Sequence, residues 1–232
     1  MAVIATASGL VGLPKCEGQT SALSCDCMQH HPRSPALDDC TGVLFAGGSA
    51  SRLAGLAKGL LRVDGEPILA RSLRLFGELF PDTLVVANDA RPYASFGARM
   101  VPDLLSGKGA PGALHAALSG ARTGWVFAVG CDMPFLSREP ILWLAGRRGA
   151  ARAVVVEWRG RLEPLHAFWS RDCIPILERL LREGCPSMWA VASTVGALLV
   201  PEEEWQRVDP AGCSFANVNT VEDAARLGIK IC

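Results

Sequence analysis

Two segments of the chain carry groups suited to phosphate chemistry. In the first, Thr41 to Pro67, a short apolar run from Gly42 to Ala46 ends abruptly in Gly47-Gly48, and Lys58 follows. Glycines let the backbone approach a ligand closely, successive N–H groups can surround a phosphate, and a lysine supplies a point charge for the same anion. The segment contains neither a P-loop nor a dinucleotide-binding fingerprint. A tight turn between strand and helix would also account for the glycine pair taken alone.

The second segment, WVFAVGCDMPFL from Trp125 to Leu136, places a carboxylate at the end of a buried strand. Asp132 follows Gly130-Cys131, and Pro134 stops the chain from continuing as a strand. A lone aspartate in such a position is also common as a turn residue or helix cap. If both strands end at one edge of a sheet, that edge offers amide donors, a cation and an oxygen ligand for Mg²⁺.

Two further polar residues follow apolar stretches. Asn88 comes directly after the strand candidate at 84–87, and Asp103 follows 99–102 and precedes a glycine-rich loop. Each has an ordinary structural explanation, as a turn residue for Asn88 and as a loop cap for Asp103.

From Thr41 onward the sequence alternates between short apolar runs and longer amphipathic ones, and these are the elements that must position the residues above. This alternation predicts a three-layer α/β/α domain with a mostly parallel sheet and right-handed crossovers. A hairpin around Trp158-Arg159-Gly160 would add one antiparallel strand. The predicted strands are 42–46, 83–87, 125–129, 152–157 and 196–200, and the predicted helices are 66–79, 111–122, 138–148, 171–183 and 220–227.

Length and composition fit one α/β domain. The chain has 232 residues, of which 50% are hydrophobic and 20% are charged, and its formal net charge is +0. The neutral charge gives no electrostatic reason to expect nucleic acid or an anionic membrane as a partner, and no apolar run reaches the roughly 20 residues of a membrane span. We expect a cytoplasmic protein with a flexible, dispensable extension at 1–40 and a catalytic domain at 41–232.

Nine cysteines are present, and four of them, Cys16, Cys25, Cys27 and Cys40, fall in the first forty residues. With the neighbouring histidines they could form a zinc or iron–sulfur site, but their spacing matches no strong paired motif. Reduced thiols in a flexible tail are the preferred interpretation. The remaining cysteines are interpreted as small buried hydrophobes.

The segment from Thr41 to Pro67 resembles the corresponding loop of nucleotidyltransferases, in particular the molybdenum cofactor guanylyltransferases. That family's pattern is LAGG, a few small or basic residues, R-M-G, D-K, two leucines and G-x-P. This chain departs from it at Leu53, in place of methionine, and at Ala57, in place of the acid before the lysine. The matching residues are Ala46, Gly47, Gly48, Arg52, Gly55, Lys58, Leu60, Leu61, Gly65 and Pro67.

Three later segments extend the resemblance over roughly 41–230. Cys131-Asp132-x-Pro134 matches the family's magnesium-binding motif, and the segment from Phe215 to Asp223 matches F-x-N-V-N-T-x-E-D. The segment after Asp103 resembles the family's D…GPLAG, although glycine and proline are in a different order at 109–113. The resemblance therefore implies a Rossmann-like nucleotidyltransferase fold.

The same resemblance implies the activity and the roles of residues. GMP would pass from GTP to molybdenum-bearing molybdopterin with release of pyrophosphate and with Mg²⁺ as cofactor. Lys58 and Asp132 would be catalytic, Asp132 would bind the metal, and Asn217 and Asn219 would lie on the acceptor side. Molybdenum-insertion proteins and molybdoenzyme chaperones are the implied protein partners. The implied nucleotide-binding residues are Phe45, Ala46, Gly47, Gly48, Lys58, Asn88, Asp103 and Asp132.

Two alternatives remain open at this point. One is another reaction of the same superfamily, either cytidylyl transfer to molybdopterin or nucleotidyl transfer to a sugar phosphate, because no sequence rule here separates guanine from cytosine. The other is a non-catalytic protein that kept the fold and delivers cofactor to an apoenzyme.

Overall fold

The predicted three-layer α/β/α architecture is confirmed in a computed structural model of the chain. The structure describes residues 36–47, 52–53, 55–105 and 107–230. A seven-stranded, mostly parallel sheet has the strand order β11-β9-β10-β8-β1-β6-β7, and two short two-stranded ladders lie beside it. The strands are β1 Cys40–Phe45, β2 Arg52–Leu53, β3 Leu56–Ala57, β4 Arg62–Val63, β5 Glu66–Pro67, β6 Asp82–Val86, β7 Arg99–Val101, β8 Trp125–Gly130, β9 Ala153–Trp158, β10 Arg161–Ser170 and β11 Leu198–Val200.

Helices cover both faces of the sheet. The longer ones alternate with the strands along the chain, as the sequence pattern predicts. The helices are α1 Ile68–Leu79, α2 Gly109–Gly120, α3 Arg138–Ala145, α4 Ile174–Glu183, α5 Met188–Val195, α6 Glu202–Trp205 and α7 Val221–Arg226. Within the described ranges no helix is long and apolar enough to cross a membrane.

Strand β1 occupies the middle of the parallel part of the sheet. It pairs in parallel with β6 on one side and with β8 on the other, and β6 pairs in parallel with β7. The carboxyl ends of these four strands therefore lie along one edge. The predicted hairpin is also confirmed, because β10 runs antiparallel to both β9 and β8. The edge strand β11 pairs in parallel with β9.

Alternate residues of the strands enter two separate hydrophobic cores. In β1, Leu44 belongs to the core with α1 and α3, whereas Val43 and Phe45 belong to the core with α2, α4 and α5. Gly42 faces α1 so closely that a Cβ there would lie 2.5 Å from the Phe76 ring. The burial of both sheet faces explains why the central strands are almost continuously apolar.

Two differences from the predicted elements have local causes. The sequence predicts no helix at 188–195, but Ser187 caps one there by accepting a hydrogen bond from the N–H of Ala190. That helix ends at Gly196, whose φ of +69° is left-handed, so the predicted strand at 196–200 begins only at Leu198. The apolar run from Met188 to Val195 lacks the polar face that marks an amphipathic helix.

Part of the predicted extension belongs to the folded domain. Cys40 is the first residue of β1 and is fully buried. Before it, the N–H of Leu37 donates to the carbonyl of Leu79 at 2.8 Å, and Arg148 pairs with Asp39 at 2.9 Å. The remainder of the extension, 1–35, lies outside the described residues.

Candidate active site

The carboxyl ends of the parallel strands form a continuous edge at which the predicted site residues lie. Backbone hydrogen bonds extend past the strand ends, from the N–H of Ala46 to the carbonyl of Val86 (2.9 Å) and from the N–H of Cys131 to the carbonyl of Phe45 (3.0 Å). Ligands of open α/β sheets bind outside such an edge. The segments that follow β1 and β8 are therefore held side by side where a ligand would bind.

Lys58 is a buried cation at this edge. It lies in a one-turn 3₁₀ helix, Lys58–Leu60, and is only 4% exposed. Its Nζ donates to Oδ2 of Asp132 at 3.2 Å and to Oδ1 of Asn219 at 2.5 Å. A buried ammonium group requires such partners because it has lost the solvation of water. The structure thus brings together three predicted site residues from three distant parts of the chain.

Asp132 is positioned through its own backbone and by the absence of a neighbouring side chain. A Cβ at Gly130 would lie 2.5 Å from Oδ1 of Asp132, so the carboxylate occupies space that only glycine leaves open. The carbonyl oxygen of Asp132 accepts a hydrogen bond from the N–H of Val218 at 3.0 Å. The carboxyl-terminal segment consequently also holds Asp132 in place, through its backbone.

The start of α7 fixes Asn219. Oδ2 of Asp223 accepts hydrogen bonds from the N–H groups of Asn219 (3.0 Å) and Thr220 (3.1 Å), and Oγ1 of Thr220 accepts from the N–H of Asp223. This is a capping box, and it confirms the helix start predicted at Thr220. The N–H of Asn219, followed by that of Thr220, lowers the pKa of Asp223 below its ordinary value.

A small hydrophobic cluster joins the residues that follow Lys58 to the carboxyl-terminal segment. A backbone bridge between Arg62 and Lys230 adds to this contact. The cluster keeps Lys58 and Asn219 within reach of one another although they are far apart in sequence. Its buried members are Leu61, Val63, Ile68, Val218, Ala224 and Ile229.

Asn88 and Asp103 form a second pair along the same edge, after β6 and β7. Nδ2 of Asn88 donates to Oδ2 of Asp103 at 3.0 Å, and the N–H of Asp103 donates to Oδ1 of Asn88 at 2.9 Å. The two residues therefore fix each other's orientation. Asn88 is exposed, which leaves it accessible to a ligand above the strand ends.

The other predicted residues differ in what they offer a ligand. Phe45 and Ala46 are 8% and 4% exposed, so they offer a ligand backbone more than side chain. Gly47 is exposed, and Gly48 lies outside the described residues. Asn217 is half-buried, and it is not among the hydrogen-bond partners of Lys58.

Sequence reasoning missed Tyr93, the single tyrosine of the chain. Its ring lies 3.2 Å from the position that a Cβ of Gly59 would occupy, so it packs beneath the turn that carries Lys58. No periodicity in the sequence points to this contact. The neighbouring Cys131 is buried, and burial raises the pKa of its thiol to about 12, which agrees with its interpretation as an inert core residue.

The described residues hold no ready-made metal cage. No group of three or more His, Cys, Asp or Glu side chains among them could hold a metal ion. Cys40, one of the four cysteines of the alternative zinc or iron–sulfur site, is buried in β1, and burial raises the pKa of its thiol. That environment disfavours the thiolate needed for metal binding, whereas Cys16, Cys25 and Cys27 lie outside the described residues.

Comparisons with known proteins give a family match for this chain. Residues 42–197 match the family model of the MobA-like NTP transferase domain. A relative from Desulfosudis oleivorans, named molybdenum cofactor guanylyltransferase, is 31% identical over 188 residues, which cover 81% of this chain and 93% of that protein.

Solved structures show the same fold. A structure of molybdopterin-guanine dinucleotide biosynthesis protein A from Archaeoglobus fulgidus has a TM-score of 0.68 and 24% identity, and the match covers 81% of this chain and 96% of that one. Rv0371c of Mycobacterium tuberculosis, in complex with manganese, has a TM-score of 0.59 and 20% identity over 82% and 97% of the two chains. At these identities the two structures support the fold alone.

Proposed function

The chain belongs to the MobA-like NTP transferase family, and from this premise we propose that it is a molybdenum cofactor guanylyltransferase. It transfers GMP from GTP to molybdenum-bearing molybdopterin, releases pyrophosphate and forms the guanine dinucleotide form of the cofactor. The observation that carries the proposal is the contact of Lys58 with Asp132 and Asn219 at the carboxyl edge of the sheet.

The obstacle in this reaction is the crowding of negative charge, because a phosphate oxygen of the acceptor attacks the α-phosphorus of GTP in line. The acceptor is already an anion, so no strong general base is required. Catalysis then depends on positioning and on electrostatic stabilisation. An ammonium group has three N–H donors, and Asp132 and Asn219 account for two of those of Lys58. The third can be donated to a phosphate while the other two contacts persist.

The donor set fits a magnesium ion that is shared with the substrate. Proteins commonly bind Mg²⁺ through one or two carboxylates together with substrate phosphates and water. Asp132, whose side chain is 24% exposed, would be the protein ligand at this edge. When bound, the ion would neutralise charge on the phosphates. The manganese complex of a structural neighbour supports a divalent metal in this fold.

The remaining residues are assigned to parts of the substrates by the strand ends at which they lie. Backbone N–H groups at Gly47 would contact the phosphates, and the hydrogen-bonded pair of Asn88 and Asp103 would contact the nucleoside. Asn217 would face the acceptor. Molybdenum-insertion proteins and molybdoenzyme chaperones would supply the acceptor and receive the product, in the cytoplasm where GTP is available.

The experiment is a nucleotide comparison on the purified chain. We expect GTP with Mg²⁺ to raise the melting temperature more than CTP, ATP or UTP does. We also expect radiolabelled GTP to yield pyrophosphate and a guanine dinucleotide product when molybdenum-bearing molybdopterin is added. A preference for CTP would indicate cytidylyl transfer, and binding of GTP without pyrophosphate release would indicate a delivery protein.

A further inference from the structure

Tyr93 lies in the connection between β6 and β7, the two strands whose ends are followed by Asn88 and Asp103. The connection contains a 3₁₀ helix, Arg91–Phe96, in which Tyr93 is buried and only 3% exposed. The N–H of Tyr93 donates to the carbonyl of Ala90 at 3.0 Å, two residues after Asn88. The position of the Tyr93 ring is therefore linked, over a short stretch of backbone, to the position of Asn88.

The same ring packs against the turn that carries Lys58. A Cβ at Gly59, the residue after Lys58, would lie 3.2 Å from Cε1 of Tyr93 and 3.5 Å from Cβ of Cys131. The first distance is shorter than an ordinary van der Waals contact of 3.4–4 Å. A side chain at Gly59 would consequently push the turn and the ring apart, and glycine lets them pack closely.

The side chain of Tyr93 also reaches the residue before Asp132. Burial raises the pKa of the Cys131 thiol to about 12, and hydrogen bonds from the N–H of Gly59 and from the side chain of Tyr93 oppose this rise. The thiol therefore accepts from the lysine turn and from the ring together. Through these contacts Tyr93 joins the segment after β6 to the segments after β1 and β8.

We propose that Tyr93 is a positioning residue that fixes the separation between the nucleoside contacts and the triphosphate contacts of GTP. The proposal rests on the proposed function, in which Asn88 contacts the nucleoside and Lys58 contacts the phosphates. GTP must reach both contacts at once, and two linked contacts strengthen one another only when their spacing matches the ligand. Loss of the ring should leave the lysine competent to bind phosphate and weaken binding of the joined ligand.

The test is calorimetric titration of the full chain, in the presence of Mg²⁺, with GTP and with tripolyphosphate, the phosphate half of the ligand. We expect Tyr93→Leu to weaken GTP binding about tenfold, because small misplacements of binding groups act on this scale. Tripolyphosphate should bind as it does to the wild type. Tyr93→Phe, which keeps the ring, should restore most of the GTP affinity.

Two further variants separate positioning from general stability. Phe96→Leu makes a similar truncation in the same 3₁₀ helix, since Phe96 packs against the same core but is not among the three nearest neighbours of the Gly59 Cβ position. It should lower the melting temperature and leave the GTP affinity unchanged. Gly59→Ala should weaken GTP binding by itself. Combined with Tyr93→Leu it should cost less than the sum of the single variants, because the smaller side chain makes room for the methyl group.

The outcomes of this test differ from those that decide the reaction. Equal losses of affinity for GTP and for tripolyphosphate in Tyr93→Leu would overturn the proposal, because the lysine would then be disabled and not displaced from the nucleoside contacts. Equal losses of GTP affinity in Tyr93→Leu and Phe96→Leu would overturn it as well. The expected binding pattern in a wild-type chain that releases no pyrophosphate would support the role of Tyr93 while refuting guanylyl transfer.

Discussion

At the level of single residues, Lys58 is the member of the candidate site that most needs hydrogen-bond partners. Its ammonium group is almost fully buried, and a carboxylate and an amide oxygen satisfy two of its donors. In the proposed reaction, this arrangement would fix the charge at the strand edge before nucleotide binds, so that little reorganisation would be needed when the phosphates arrive.

Lys58→Met should weaken GTP binding by about tenfold to a hundredfold, the loss expected when a charge-assisted contact worth about 1.5–3 kcal/mol disappears. Calorimetric titration of GTP with Mg²⁺ measures the change. Lys230→Met is the matched control, because Lys230 is exposed and joins the same carboxyl-terminal cluster only through its backbone. An unchanged affinity in Lys58→Met would exclude the lysine from the site.

Asp132→Asn should abolish most Mg²⁺-dependent turnover and also destabilise the fold, by about 1–3 kcal/mol, because the ammonium of Lys58 loses the charged hydrogen-bond partner that the described residues give it. The double variant Lys58→Met with Asp132→Asn should lose less stability than the sum of the single variants, since it leaves no buried unpaired charge. Urea denaturation of the four proteins measures the coupling. Strictly additive losses would show that the two side chains do not interact.

Glu163 gives a prediction about pH. Burial raises the pKa of its carboxyl to about 7, against the opposing effect of Arg161. A carboxyl whose pKa is higher in the folded state stabilises the fold below its unfolded pKa, and this contribution is lost as the pH rises from about 4.5 to about 7. Glu163→Gln should therefore raise the melting temperature at pH 8 and have little effect at pH 4. Glu157→Gln, an exposed position in the same hairpin, should show no such gain, and equal gains in both variants would contradict the assignment.

At the level of elements, the start of α7 acts on the site through Asn219. Removing Asp223 takes away the acceptor of two backbone N–H groups, one of which belongs to Asn219. We expect Asp223→Ala to lower the stability of the fold and to lower turnover as well. Glu222→Ala, in the same helical turn but outside the capping box, should do neither. Thermal unfolding and initial rates measure both effects. Full activity in a destabilised Asp223→Ala variant would show that the helix cap does not act on the site.

The residues at the start of β1 allow a prediction about the amino-terminal boundary of the fold. A chain that starts at Ala36 should keep the stability and activity of the full chain, because no apolar periodicity before it suggests a docked element. A chain that starts at Thr41 should lose about 2 kcal/mol or more, since it lacks buried Cys40, the hydrogen bond of Leu37 and the ion pair of Asp39. Equal melting temperatures for the two truncations would refute this boundary.

The elements were largely predictable because their signals are local. The five predicted strands lie within two residues of the observed ends, and the turn at 158–160 was recognised from its sequence. Helix α5 was missed because its apolar run has no amphipathic pattern. The burial of Cys40 was missed because the residues just before β1 are polar, so the sequence pattern does not show where the strand begins. Both misses are cases in which tertiary burial decides what local pattern does not.

At the level of the whole molecule, the residues of the candidate site could be proposed from the sequence, but the contacts between them could not. The ends of β1 and β8 place Gly47 and Asp132 at one edge through sheet order alone. The hydrogen bond between Lys58 and Asn219 spans 161 positions, and it depends on how the carboxyl-terminal segment folds back over the sheet. The resemblance suggested an acceptor role for Asn219. The structure adds a role that the sequence did not contain, the positioning of the lysine.

The same long-range contact imposes an order of events on a chain that is still being made. The ribosome adds Asn219 161 residues after Lys58, an interval on the order of 10–30 s at ordinary rates of synthesis. During that interval the nascent sheet can assemble and Asp132 can meet the lysine, but one donor of Lys58 still lacks its final acceptor. The proposed catalytic edge is thus completed only when the carboxyl-terminal segment has been synthesised. Until then, the proposed triphosphate-binding surface of the growing polypeptide is unfinished.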